Sequence, residues 1–87
     1  MTLKGKVVLV TGSARRVGRA IALAFAAKGA RIAAHYHTSA GEARKLVAGA
    51  RSLSGADADA FRADLFDPAA PQKLADAVAR RFGGIDV

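Results

Sequence analysis

Short apolar runs alternate along the chain with longer segments in which apolar residues recur every three or four positions. The run Val7–Val10 is continuous and mostly β-branched, which is typical of a strand buried on both faces of a parallel sheet. Residues 17–28 have helical spacing and stop at Gly29. The spacing predicts that this helix buries one face, made of Val17, Ala20, Ile21, Ala24 and Phe25.

The same alternation continues through residue 54. Residues 31–36 predict a second strand, and Thr38 or Ser39 is placed to cap the helix that follows. Ser54-Gly55 is expected to end that helix. Its predicted apolar face consists of Ala43, Leu46, Val47, Ala50 and Leu53.

The last third repeats the pattern once more. Residues 57–63 predict a third, more polar strand, and residues 64–68 predict a turn in which Asp67 caps the next helix. Gly83-Gly84 breaks that helix, and residues 85–87 resemble the beginning of a fourth strand. The residues predicted to share one face of this helix are Leu74, Ala77, Val78, Arg81 and Phe82.

Strands of four to seven residues that alternate with helices of a dozen or so indicate right-handed βαβ crossovers. The predicted fold class is therefore α/β, a Rossmann-type doubly wound parallel sheet. At 87 residues the chain is one domain or less. We expect residues 1–87 to be the N-terminal βαβαβα(β) portion of an incomplete Rossmann-fold domain, with a partner surface missing.

Composition narrows the class of protein. The chain is 52% hydrophobic and 24% charged, which suits a packed core rather than disorder. It has no cysteine, which excludes disulfides, thiolate zinc sites and a cysteine nucleophile. We recognise neither a signal peptide nor an apolar stretch of about 20 residues. We therefore expect a soluble, cytoplasmic protein with no membrane partner.

The net charge of +7 favours anionic partners. The basic residues are scattered, however, and the single tyrosine and four phenylalanines do not interleave with them as stacking platforms would. Nucleic acid is thus the least favoured partner. The charge is better explained by solvated helix faces and one anion site.

The candidate anion site is the glycine-containing segment 11–18, at the junction of the first strand and the first helix. Gly12 would allow a tight turn, and Gly18 would let the helix approach the sheet closely, so that backbone amides at the helix start could hold a pyrophosphate. The alternative is an ordinary strand-to-helix turn. The three-glycine form of this turn would have glycine at Arg16, whose side chain, like that of Arg15, could meet a phosphate or simply be solvated.

The end of the second strand carries a second signal. Dinucleotide folds that prefer NAD usually have Asp or Glu there, whereas this chain reads His35-Tyr36-His37-Thr38-Ser39. Donors in His37, Thr38 and Ser39 would accept a 2′-phosphate, so NADPH is favoured over NADH. These residues could also be only a cap and turn. After the third strand, Asp64 could accept a hydrogen bond from the adenine amino group or cap the turn.

These motifs resemble the short-chain dehydrogenase/reductase family over the whole chain: Thr11-Gly12 with Gly18, Asp64-Leu65, and Ile85-Asp86-Val87. The resemblance implies that Asp64 contacts adenine, with Leu65 beside it in the cofactor site. It also implies a catalytic Ser and a Tyr-x-x-x-Lys pair, which residues 1–87 lack. Tyr36 has Ala40 four positions on, so it does not fill that role. No catalytic or metal-binding residue is predicted in this chain.

The pattern Thr-Gly-x-x-x-Arg-x-Gly with His-Tyr-His-x-Ser is similar to the pteridine reductase branch of that family. By that resemblance Arg16 reaches the cofactor phosphates and the pterin pocket, and Val17 offers its amide to the pyrophosphate. His37, Thr38 and Ser39 would hold the 2′-phosphate, although Thr38 departs from the basic residue often found there.

The resemblance implies an NADPH-dependent oxidoreductase that transfers hydride to a C=N or C=O bond of a pterin or another small molecule, in a homo-oligomer (tetramer or dimer). Residues 1–87 would supply only the adenosine and pyrophosphate half of the site, and are expected to be inactive alone. Two alternatives remain open. One is a reductase of another carbonyl substrate such as a 3-oxoacyl thioester, and the other is a non-catalytic nucleotide-binding module.

Overall fold

A computed structural model describes residues 3–13 and 16–87 of the chain. Strands and helices alternate throughout this part of the chain. They are β1 (Val7–Val10), α1 (Arg16–Ala27), β2 (Arg31–Tyr36), α2 (Ala40–Ser54), β3 (Ala58–Arg62) and α3 (Ala70–Phe82). The three strands are parallel and lie in the order β1-β2-β3. The predicted α/β class and the N-terminal part of a Rossmann-type sheet are confirmed.

The sheet is covered on both faces. Val8 of β1 and Ile32 of β2 lie in register and belong to a cluster with residues of α1 and α2, whereas Val7 and Ala33 pack with residues of α3. Successive residues of one strand therefore enter different cores. This two-sided burial is the physical reason why β1 and the first part of β2 read as unbroken apolar runs.

Helix α1 buries a different face from the one that the sequence predicted. Ala22 and Ala26 are fully buried, whereas Val17 is 71% exposed and Ile21 is 44% exposed. Gly18, Ala22 and Ala26 are spaced four residues apart, so they form a stripe of small side chains that lets the helix lie close to the sheet. Of the five residues of the predicted face, only Phe25 packs against the core, and it is partly buried. The rest of the prediction was wrong because both stripes have helical spacing and close packing selects the one with smaller side chains.

Helices α2 and α3 bury nearly the predicted faces. In α2 the exception is Leu53, which is 54% exposed. In α3, Arg81 is exposed and lies over the ring of Phe82, 4.6 Å from its centroid. The residues that both the pattern and the structure place in the core are Ala43, Leu46, Val47 and Ala50 of α2, and Leu74, Val78 and Phe82 of α3.

The helix ends follow the predicted glycines, but the predicted caps are only partly confirmed. Gly29, Gly55 and Gly83 have positive φ and end the three helices. Ser39 occupies the N-cap position of α2 without a side-chain capping bond, and its carbonyl accepts the Ala43 amide. The prediction for Asp67 was wrong in detail.

Helix α3 begins at Ala70 and has Ala69 at its N-cap. Asp67 lies two residues earlier, where its carboxylate accepts the Ala69 amide at 3.0 Å and its carbonyl accepts the Ala70 amide at 3.0 Å. The side chain therefore shapes the turn before the helix rather than capping the helix itself.

Residues 85–87 run beside β1, on the side away from β2. The amides of Asp86 and Val87 donate to the Val7 carbonyl at 2.9 and 3.1 Å, and the Leu9 amide donates to the Val87 carbonyl at 3.1 Å. The Asp86 carboxylate accepts the Val7 amide at 2.8 Å. The segment is too short to be assigned as a strand, but its hydrogen bonds agree with the predicted start of a fourth strand and place β1 inside the sheet.

The outer edge of β3 is closed by side chains instead of by another strand. The Ala58 and Ala60 amides donate to the carboxylates of the residues before them, Asp57 and Asp59, each at 2.9 Å. The Ala58 carbonyl accepts a bond from Arg51 at 2.7 Å. Satisfying an edge in this way opposes strand addition by another molecule.

Arg81 connects the two carboxylates of this edge. Its guanidinium bonds Asp57 at 2.7 Å and Asp59 at 3.0 Å. The hydrogen bond from Arg81 holds the pKa of the Asp57 carboxyl below its usual range. A carboxyl with a lowered pKa in the folded state stabilises the fold above its ordinary pKa, and this contribution disappears as the pH falls through the folded-state pKa.

The substitution Asp57→Asn is therefore expected to lower the thermal midpoint slightly at neutral pH, because an exposed pair is screened by solvent. The difference in thermal midpoint between this variant and the unsubstituted chain should disappear once the pH is well below about 4, where the Asp57 carboxyl is protonated in the folded and the unfolded state. Thermal unfolding followed by circular dichroism across this pH range measures it. Asp76→Asn, at an exposed aspartate bonded to neutral Gln72, is the matched control, and an equal pH dependence in both variants would contradict the assignment.

Candidate functional site

The carboxyl ends of the three parallel strands meet at one edge of the sheet, where ligands of open α/β folds bind. Three parts of the chain lie at this edge: the junction of β1 and α1, made of the turn that begins at Thr11 and the first residues of the helix, the end of β2 from Tyr36 to Ser39, and the loop from Ala63 to Asp67. These segments carry all the described residues that the sequence predicted for the cofactor site. Arg15 lies outside the described residues.

The junction of β1 and α1 requires both of its glycines, Gly12 in the turn and Gly18 in the helix. Gly12 has φ +61°, in the left-handed region that favours glycine. At Gly18 a Cβ would lie 2.4 Å from the Gly12 carbonyl oxygen and 2.9 Å from the Ser13 Cα, so no side chain fits there. Helix α1 thus begins in direct contact with the turn, which is the geometry that the glycine pattern predicted.

The amides of Gly12 and Ser13 in the turn are bonded within the protein. The Gly12 amide donates to Nδ1 of His35 at 3.0 Å, and the Ser13 amide donates to the His35 carbonyl at 3.1 Å. The buried Ser13 hydroxyl donates to that carbonyl as well, at 3.1 Å. Among the described residues, the amides left for an anion are those of the first turn of α1, which include that of Val17.

His35 is a site residue that the sequence reasoning missed. It is only 5% exposed, and its Nε2 lies 2.8 Å from the Ala63 carbonyl oxygen. Because Nδ1 accepts from an amide and Nε2 faces a carbonyl, the ring is neutral with its proton on Nε2. The sequence did contain a signal for this role, because His35 is a single polar residue directly after the apolar run Ile32-Ala33-Ala34 of a buried strand. A polar side chain that is buried needs hydrogen-bond partners.

Arg16 occupies a strained backbone position. Its φ is +43°, and among the described residues it is the only one other than glycine with a positive φ. For an L-residue this conformation costs about 1 kcal/mol. Strained residues concentrate at functional sites, where the surroundings hold them in place. The three-glycine form of this turn has glycine at position 16. The exposed arginine therefore adopts a backbone conformation that glycine would adopt without strain.

The ends of β2 and β3 meet through a histidine and an aspartate. Nε2 of His37 lies 3.9 Å from the Asp64 carboxylate, and both side chains are about half exposed. The other Asp64 oxygen accepts the Phe66 amide at 3.0 Å. The turn-capping alternative for Asp64 is therefore observed, while its contact with adenine stays a prediction.

The remaining predicted residues lie around this pair. Thr38 is exposed and Ser39 is half-buried at the start of α2. Leu65 is 39% exposed and Phe66 is 96% exposed, so the loop after β3 offers an apolar surface beside the polar residues. The edge thus combines helix-start amides, a cationic side chain, hydroxyl groups and apolar surface, which are the groups that an adenosine phosphate needs.

Comparison with known proteins identifies the family. The family model for short chain dehydrogenases matches residues 6–87. The chain belongs to the short-chain dehydrogenase family. A versicolorin reductase of Emericella nidulans is 42% identical over 85 residues, and a D-threitol dehydrogenase of Mycolicibacterium smegmatis is 49% identical over 85 residues. Each alignment covers 98% of this chain and 32% of the relative, so the chain spans about a third of the length of these relatives.

Solved short-chain dehydrogenases share the fold and bind either nicotinamide cofactor. A short-chain dehydrogenase from Burkholderia cenocepacia in complex with NADP superimposes with a TM-score of 0.92 at 46% identity, covering 99% of this chain and 35% of that one. An NADH-dependent reductase complexed with NAD gives a TM-score of 0.89 at 37% identity, covering 97% and 34%. The choice between the two cofactors therefore has to come from local residues.

Within the described ranges 3–13 and 16–87, no three potential metal ligands cluster together, and no helix has the length and apolarity to cross a membrane.

The contact between Gly18 and the turn predicts a large effect of Gly18→Ala. The added methyl would overlap the Gly12 carbonyl, so backbone must move and the free energy of unfolding should fall by about 1–3 kcal/mol. Denaturant unfolding measures this.

The matched control is Gly49→Ala in α2, where the new Cβ would meet only the Leu23 side chain at 3.7 Å. Alanine is the better helix former, so this variant should be unchanged or more stable by up to about 1 kcal/mol. Equal stability of the two variants would show that the contact of α1 with the turn is looser than described.

Proposed function

We propose that residues 1–87 form the NADPH-binding N-terminal portion of a short-chain reductase. The observation that carries the proposal is the Gly12–Gly18 contact, which places the first turn of α1 directly against the turn after β1. The Gly12 and Ser13 amides of that turn are hydrogen-bonded to His35 of β2. Helix-start amides bind phosphate through their hydrogen bonds and the helix dipole. Val17 and its neighbours would hold the pyrophosphate, with the guanidinium of Arg16 adding positive charge.

The preference for the 2′-phosphate is supported by the absence of a carboxylate in the sequence from 36 to 39. His37, Thr38 and Ser39 supply donors there, and a bound 2′-phosphate would meet no residue with the role of the ribose-binding Asp or Glu. The Asp64 carboxylate lies 3.9 Å from Nε2 of the His37 ring. A 2′-phosphate would give that ring a second anionic neighbour.

The distribution of acidic residues agrees with this choice. Asp57 and Asp59 lie at the amino end of β3, away from the candidate site, and are paired with Arg81. An anionic cofactor at the carboxyl ends of the strands would therefore experience little opposing charge from them. With a net charge of +7, the whole chain favours approach of an anion.

The proposed activity belongs to a longer chain that also carries the catalytic Ser and Tyr-x-x-x-Lys. The bound nicotinamide would supply hydride to a C=N or C=O bond. Residues 1–87 would bind and orient the adenosine and pyrophosphate, and are proposed to be inactive alone. We further propose a cytoplasmic location and a homo-oligomeric assembly.

The proposed substrate class is a pterin. Its support is the arginine at position 16 together with the His-Tyr-His-x-Ser pattern. The relatives are named for other substrates, so their names do not favour a pterin. The test is NADPH oxidation by a chain in which residues 1–87 precede the catalytic segment. Faster oxidation with a dihydropterin than with a 3-oxoacyl thioester supports the proposal, and the reverse order would assign the alternative carbonyl substrate.

The cofactor preference can be measured on the 87-residue chain. Adenosine 2′,5′-bisphosphate should bind more tightly than adenosine 5′-phosphate, and NADPH more tightly than NADH, by about tenfold or more, because only the first of each pair carries the 2′-phosphate. Calorimetric titration gives the dissociation constants, and the rise of the thermal midpoint with ligand provides a second measure. Equal affinities within each pair would refute the 2′-phosphate preference. A non-catalytic nucleotide module is favoured if this affinity is unaltered when the catalytic segment is added.

Two substitutions separate the charge of Arg16 from its backbone strain. Arg16→Gly relieves the positive φ and Arg16→Ala does not, so the glycine variant should be the more stable by about 0.5–1 kcal/mol. Both remove the guanidinium and should weaken NADPH binding about equally, by about threefold to tenfold. Thermal unfolding and titration read out the two properties separately. Unchanged NADPH affinity in both variants would remove Arg16 from the site.

A further inference from the structure

We propose that His35 is a positioning residue for the cofactor site, acting through the backbone of the turn after β1. This inference rests on the proposed cofactor-binding function. The ring joins two segments that flank the site: Nδ1 accepts the Gly12 amide at 3.0 Å, and Nε2 donates to the Ala63 carbonyl at 2.8 Å. Ala63 directly precedes Asp64, so one side chain connects the phosphate-binding turn with the loop that follows β3.

The His35 backbone strengthens the same connection. Its carbonyl accepts both the amide and the hydroxyl of Ser13 at 3.1 Å. Consecutive residues of the turn are thus held by one residue of β2, Gly12 through the imidazole and Ser13 through the carbonyl. Because Gly12 has a positive φ of 61° and no side chain, these bonds limit a turn that would otherwise have wide backbone freedom.

The direction of each bond gives His35 a role beyond filling space. The Gly12 amide is directed to the imidazole, so the pyrophosphate is left to the amides of the first turn of α1. An apolar side chain of similar volume would fill the space of the imidazole but would leave the Gly12 amide and the Ala63 carbonyl without these hydrogen-bond partners. His35 is also 5% exposed, so water has little access to replace it.

The Gly12 bond and the Ala63 bond can be removed separately. In His35→Asn the amide oxygen takes the place of Nδ1 and can still accept from Gly12, but the side chain is too short for Ala63. In His35→Gln the terminal amide takes the place of Nε2 and can still donate to Ala63, while the acceptor for Gly12 is lost. Each variant lacks one hydrogen bond, so the two should lose similar amounts of thermal stability.

Their affinities for NADPH should nevertheless differ. We expect His35→Asn to bind within about threefold of the unsubstituted chain and His35→Gln to bind about tenfold more weakly, because the Gly12 bond is the only one of the two side-chain bonds that holds the turn. Titration of the 87-residue chain with NADPH gives both values. A merely structural role would move both affinities together with stability. Equal affinities, or tighter binding by His35→Gln, would overturn the proposal.

Nuclear magnetic resonance tests the same inference without ligand. The His35 ring nitrogens should show a proton on Nε2 and none on Nδ1, and Gly12 amide exchange should be slow in the unsubstituted chain and in His35→Asn but fast in His35→Gln. A Gly12 amide that exchanges equally in all three, or a proton on Nδ1, would overturn the positioning role. If these signatures hold while NADPH fails to bind, the proposed function fails and the positioning of the turn stands. The ring measurement needs only the unsubstituted chain, so a proton on Nδ1 would overturn the positioning role even if neither variant folds.

Discussion

The contact between α1 and the turn after β1 is the constraint on which the rest of the structure depends. A helix that approaches until no Cβ fits at Gly18 can present only small residues to the sheet, and the stripe continues through Ala22 and Ala26. Val17 and Ile21 are consequently turned to the surface, whereas Leu23 and Phe25 of the same helix pack against the core at its flanks and are partly buried. The same close approach brings the amides of the helix start to the edge where a phosphate can bind.

The sheet is organised around this contact. Central strand β2 supplies His35, whose ring and carbonyl hold the turn after β1, so this turn and the end of β3 are connected through one residue. Buried polar groups of this kind are stable only when fully bonded, and no buried side-chain nitrogen or oxygen among the described residues lacks a partner. The turn after β1 and the loop after β3 are therefore fixed to the buried part of β2 and do not behave as independent loops.

The two ends of the strands have different electrostatic roles. At the amino end of β3, Asp57 and Asp59 satisfy the strand's own outer amides and both form ion pairs with Arg81, while Asp57 also pairs with Arg51. At the carboxyl ends, His37 and Asp64 are half exposed and 3.9 Å apart, so they remain accessible to a ligand. Acidic side chains thus lie near the amino end of β3, where they close the outer edge of that strand. Helix-start amides and hydrogen-bond donors lie at the carboxyl ends of the strands.

The sequence alone determined the order of strands and helices, the helix-ending glycines and the place of the glycine turn, because these depend on local spacing and backbone freedom. It also located the residues around His37 and Asp64, since parallel strands end at a common edge. The sequence could not show which face of α1 is buried, because two stripes of residues on that helix have the same helical spacing. It also could not show that Asp67 shapes the turn before α3 rather than capping the helix. Only the tertiary structure decided these points, and it alone revealed the role of His35, because its partners lie 23 and 28 residues away in the chain.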